Sequence, residues 1–119
     1  MANTFKVVTF AAEPASAGTA YTMYTTPSST TTIVLGLVLA NIHTTSVTAE
    51  VELDSNTSGG GRGATNGVSF LVKDVTIPSG SSLELLSGGK VVLETTDILK
   101  IDCSVADKLS GTLSIMEIT

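Results

Sequence analysis

From Ile77 to Thr119 apolar and polar residues alternate with a period of two, and that pattern restricts what the chain can fold into. Leu83 and Leu85 alternate with Ser82 and Glu84, and Leu99, Ile101, Cys103 and Val105 alternate with Lys100, Asp102 and Ser104. Such spacing gives a strand with one buried face. Ile77-Pro78-Ser79-Gly80 fits a type I turn, with proline presetting φ at the second place and glycine closing at the fourth. Ser87-Gly88-Gly89 turns the chain into Val91 and Leu93. The block is expected to form four strands in antiparallel sequence, joined by tight turns.

The rest of the chain extends the pattern. Phe5 to Ala12 reads as a first strand, with Phe5, Val7 and Thr9 on one face and Lys6, Val8 and Phe10 on the other. Neither face is plainly polar, so this strand is either covered twice within the fold or docked on another chain. Glu13-Pro14 to Gly18 interrupts it, because proline lacks the ladder donor. Thr19 to Thr25 resumes, with Tyr21 and Met23 on one side and Tyr24 opposite. Thr31 to His43 is the most apolar segment and is expected to be a central strand buried on both faces, with Gly36 at a bulge or a close backbone approach. Val47, Ala49, Val51 and Leu53 alternate with Thr48, Glu50, Glu52 and Asp54, leaving an acidic face in water. Ser55 to Gly67 is a long polar loop, followed by Val68, Phe70 and Val72. Eight or nine short strands with no helical period predict an all-β fold. We expect residues 1–119 to form a single antiparallel β-sandwich domain, jelly-roll-like, with an open barrel as the alternative.

Charge is scarce, at 14% of residues, so threonine and serine must cover much of the outside. Either exposed strand faces simply favour threonine, or partners in an assembly cover part of the surface. A net charge of −5, with Lys6, Arg62, Lys73, Lys90, Lys100 and Lys108 scattered, argues against direct nucleic-acid binding. Cys103 is the only cysteine, which excludes an intrachain disulfide and a cysteine zinc site. No basic stretch followed by an apolar one opens the sequence, so a protein made without export is expected. The apolar run Ile33 to Ala40 is far shorter than the ~20 residues of a membrane helix, and no membrane partner is expected.

Catalytic, cofactor and metal constellations are not found, so an enzyme is not expected. His43 is the single histidine, has no partner nearby in sequence, and reads as a strand-end residue. Glu50, Glu52 and Asp54 form a straight row, whereas calcium needs oxygens converging from several directions. Asp97, Asp102 and Asp107 fall at strand ends, where aspartate bonds to turn backbone. Without tryptophan, and with Tyr21 and Tyr24 on opposite sides, a carbohydrate-binding module is poorly supported. Gly59 to Gly63 lacks the Gly-Lys-Ser/Thr ending of a phosphate loop. It is either a flexible tip or a loop that orders Arg62 against a partner. Phe5, Phe10 and Arg62 are the candidate partner contacts.

The order IPSGSSLELL, then KVVLETTDILKI, then a strand ending SGTLSIMEIT resembles small virion structural proteins of tailed bacteriophages. So does Val38-Leu39-Ala40-Asn41 leading into Val47 to Val51. The resemblance covers most of the chain and its motifs mark turns and core, so no catalytic or binding residue transfers. It implies a β-sandwich carried in many copies on a virion and made in the host cytoplasm. The form it favours is a capsid decoration (cement) protein on the head surface, bound to the major capsid protein or other virion proteins as a homo-oligomer, with a trimer as the guess. The alternatives are a tail, neck or fibre-associated component, and a free-standing carbohydrate or cell-surface binding module.

Overall fold

Alternating residues pack into two antiparallel sheets in a computed structural model that describes residues 2–58, 63–86 and 89–119. The strands are β1 (Asn3–Glu13), β2 (Tyr21–Thr25), β3 (Thr31–Asn41), β4 (Val47–Asp54), β5 (Val68–Ile77), β6 (Ser82–Leu85), β7 (Val91–Leu93), β8 (Ile98–Cys103) and β9 (Leu109–Ile118). One sheet runs β1-β9-β3-β6, with β7 alongside β6 on the same edge of β3. The other runs β2-β8-β4-β5. This interleaving is a jelly roll, two Greek keys wrapped into a sandwich.

The four C-terminal strands do not pair with one another, contrary to the meander expected from their tight turns. Both β6 and β7 pair with β3, β8 lies between β2 and β4, and β9 lies between β1 and β3. Among the described residues only β4 and β5 are both consecutive and paired. Alternation tells which face of a strand is buried. It carries no information on which strand lies beside it.

Both faces converge on one core. Val34, Leu37, Leu39, Leu113 and Ile115 project from the first sheet, and Val47, Ala49, Val51, Leu99 and Ile101 from the second, all nearly fully buried. A large aliphatic side chain buried this completely stabilises the fold by about 1.5–3 kcal/mol. Cys103 belongs to the same cluster. The φ of Gly111 is ordinary; what it supplies is space, because a Cβ there would overlap the ring of Phe10. That ring stands edge-on to Tyr21, with centroids 5.2 Å apart.

Three local expectations are corrected. The proline turn lies one residue later: Ser81 N–H donates to Pro78 C=O (3.1 Å) and Gly80 has φ +73°. A positive φ at the third place of Pro78–Ser81 is the type II signature, which glycine permits without strain. Next, β3 is buried on one face only. Thr32, Val34, Leu37, Leu39 and Asn41 point inward, the parity shifting at the bulge between Val34 and Gly36, while Val38 stays 37% exposed. Finally, Tyr24 does not oppose Tyr21. A bulge between Thr22 and Tyr24 turns both tyrosines toward the interior.

Candidate partner interface

Because Phe10 faces the core, parity along β1 sends Phe5 and Val7 outward, where they remain 71% and 65% exposed. Register then builds a row across the sheet. Phe5 lies opposite Met116, Met116 opposite Ile33, and Ile33 opposite Val92. Four apolar side chains from β1, β9, β3 and β7 thus stand side by side on the outer surface. Val92, at the far end, is 55% exposed. The next positions on this face are Val7 beside Ser114, then Thr9, Thr112 and Val38 in line with Glu84. Glu84 is the one charged residue among them.

An ionic cluster lies directly beneath the row. Lys6 Nζ sits 2.8 Å from Glu117 Oε1, and the Tyr24 phenol donates to Glu117 Oε2 at 2.6 Å while also bonding Thr32 Oγ1 at 2.8 Å. Side chains from β1, β9, β3 and β2 meet there, so both sheets are tied together behind Phe5. The hydrogen bond from Lys6, then that from Tyr24, holds the Glu117 carboxyl below its usual range against the opposing effect of burial. Burial first, and then the bond to Glu117, pushes the Tyr24 phenol up to about 12. One signal of this cluster is present in the sequence: Glu117 shares the inward parity of Leu113 and Ile115.

The opposite outer face is charged. Glu50 accepts from Lys73 at 2.9 Å, Asp54 lies 3.3 Å from Lys100, and the Lys73 ammonium sits 4.7 Å above the Phe70 ring. No group of three His, Cys, Asp or Glu among the described residues could hold a metal ion. An open groove of about 490 Å³ runs past Ser55, Asn66 and Asp97. Both carboxylate oxygens of Asp97 there accept structural bonds, from Ser55 Oγ at 2.6 Å and Glu94 N–H at 2.9 Å. His43 engages through its backbone, donating N–H to Asn41 Oδ1 and accepting from Ser79 Oγ.

The three sequence-derived contact residues therefore separate. Phe5 is at the surface on the apolar row. Phe10, 8% exposed and packed on Tyr21, is a core residue, which corrects its assignment as a partner contact. Arg62 lies outside the described residues. Met116, Ile33 and Val92 join Phe5 instead, and only cross-strand register brings them together.

This geometry defines a class: a jelly-roll β-sandwich with ion pairs on one outer face and an apolar row across the other. Comparison with solved structures finds the same fold in a chain of the T13 IBDV viral particle, at 13% identity and a TM-score of 0.56. That match covers 97% of this chain and 30% of the other, so the chain spans under a third of that protein's length. The chain also matches a subunit of the disulfide-linked pili of Bacillus endospore appendages (17% identity, TM-score 0.47, 99% of this chain and 87% of the other). A further match is to the infectious bursal disease virus Gx strain (16%, 0.46, 95% and 33%). At such identities the likeness is one of fold. No protein-family model matches the sequence, and no curated protein matches it.

Proposed function

We propose that this protein, read as one domain over residues 1–119, is a non-enzymatic virion structural protein of the capsid decoration (cement) type. It attaches to the outer surface of a head shell through the outer face of β1-β9-β3-β7. The observation that carries this reading is the row Phe5–Met116–Ile33–Val92, an apolar band that runs across four strands of one sheet. The jelly-roll fold, shared with a chain of the IBDV viral particle, supports it as a scaffold suited to packing in shells. Covering a side chain of this size at an interface gives about 1.5–3 kcal/mol, and repetition over many copies turns modest contacts into firm attachment.

Head shells stripped of the protein and re-incubated with purified variants test the reading. Phe5→Ala and Val92→Ala should each lower affinity for the shell at least about tenfold, read as occupancy at subsaturating protein, as expected for loss of one buried anchor. The thermal midpoint of the free Val92→Ala protein should stay unchanged. Full occupancy by both variants would overturn the proposal. Copy number decides between the head and the tail, neck or fibre reading, since a decoration protein is present in hundreds of copies.

A further inference from the structure

The open edge of β1 is built to pair, and the order of the hydrogen-bond ladder shows how. Ala2 and Thr119 exchange both backbone bonds, N–H to C=O at 3.1 and 3.0 Å. In an antiparallel pair such doubly bonded positions alternate with positions whose groups point away. With Asn3 opposite Ile118 and the register unbroken to Phe10 opposite Gly111, Thr4, Lys6, Val8 and Phe10 therefore bond to β9. Asn3, Phe5, Val7 and Thr9 direct their N–H and C=O groups to the free side. The residues with unclaimed backbone groups are thus the ones that carry the exposed Phe5 and Val7 side chains.

The other sheet edges are blunted by the devices that normally prevent pairing. β2 has five residues and a bulge, and β6 and β7 have four and three. β5 is ten residues long, but its pairing with β4 is broken by two register shifts, and Asp74 has φ 53° beside Lys73. β1 alone offers a long, regular edge, and among the described residues it pairs only with β9. Its charge also suits a second copy. The chain carries −5 overall, whereas Asn3 to Ala12 contains Lys6 and no acid, so the acidic excess does not oppose a second copy along this stretch.

We infer that the β1 edge pairs antiparallel with β1 of a second copy, joining two sheets across a two-fold axis at Val7. Centring on Lys6 would set two lysines directly opposite, which is unfavourable. Centring on Phe5 shortens the overlap, and centring on Val8 runs into the bulge between Phe10 and Glu13. At Val7 each Phe5 lies opposite Thr9 of the second copy and each Lys6 opposite Val8, so Phe5 and Val7 gain cover on the side where β9 gives none. The pairing belongs to the free chain and does not depend on attachment to a shell.

Sedimentation of the purified full chain tests it. The wild type should sediment at twice the monomer mass. Val7→Pro removes a donor that β9 does not use, and Val7→Lys opposes two charges at the axis; each should weaken association at least about tenfold while the circular dichroism spectrum stays that of the wild type. Val92→Lys, on the same face but remote from the edge, should leave association unchanged. Under oxidation Val7→Cys should cross-link, because paired residues on the axis lie within disulfide reach, and Phe5→Cys should not. A monomeric wild type would overturn the inference, as would dimers that survive both Val7→Pro and Val7→Lys. Dissociation by Val92→Lys alone would point to face-to-face stacking instead and would equally overturn it.

Discussion

Tyr24 and Glu117 are 93 positions apart in sequence, yet the phenol of one donates a 2.6 Å hydrogen bond to the carboxylate of the other, linking the second sheet to the first. Lys6 holds the second carboxylate oxygen, so the N-terminal half of β1 is anchored by the same charge. Tyr24→Phe leaves Glu117 with one partner and deprives Thr32 Oγ1 of its bond to the phenol. A hydrogen bond to a charged group contributes about 1.5–3 kcal/mol, and a loss of that size is expected. Urea unfolding checks it: the midpoint should fall with the slope unchanged. An unaltered midpoint would show that the bond contributes nothing.

Acid should weaken the fold through the same carboxylate. Its folded pKa lies below the ordinary value of 4.5, so folding favours the ionised form. That stabilisation is complete above pH 4.5 and disappears as the pH falls through the folded pKa. Tyr24 acts at the other limit. Raised from 10.0 to about 12, it stabilises the fold below pH 10.0 and ceases to do so as the pH climbs through about 12. Glu117→Gln should flatten the acid limb of a stability profile, and Tyr24→Phe the alkaline limb. Retention of both limbs in these variants would rule the cluster out as their source.

Phe10 and Gly111 form a fitted pair. Phe10→Ala should cost about 3–5 kcal/mol, the usual loss for an aromatic removed from a core, whereas Phe5→Ala should stay within about 0.5 kcal/mol. Gly111→Ala should cost about 1–3 kcal/mol by crowding the ring. With Phe10 already alanine, that second cost should vanish. Additive losses in the double-mutant cycle would contradict the contact.

Asn41 fastens the turn after β3. Its Nδ2 donates to Thr45 C=O at 3.0 Å and to Ile77 C=O at 2.8 Å, and its Oδ1 accepts from His43 N–H at 2.8 Å. Asn41→Ala strands a buried carbonyl and should lower stability by about 1–3 kcal/mol. Hydrogen exchange should show the 41–47 connection opening first. Exchange unchanged in that segment would mean the turn holds without the side chain.

How much of this was legible in the sequence depends on distance along the chain. Parity is local: Leu99, Ile101 and Cys103 read as inward, and the structure buries them. The acidic row of β4 read as solvent-facing; Glu50, Glu52 and Asp54 are half-buried, and Glu50 and Asp54 pair with Lys73 and Lys100. Bulges defeat parity without warning, as at Thr22–Tyr24, where one extra residue reversed the assigned direction of Tyr24. The same limit applies to Phe5 and Phe10. On a strand apolar on both sides, composition cannot say which side is the core.

By itself the sequence determined that the chain folds into sheets and, among the described residues, where its strands lie. Those properties follow from the period of side chains along one strand. Only the tertiary structure decided that β9 lies between β1 and β3, that Glu117 is neutralised by Lys6 rather than exposed, and that Phe5, Met116, Ile33 and Val92 share a row. Each is a relation between strands remote in sequence. Such pairings are selected by the packing of the whole sandwich, which no stretch of residues encodes alone.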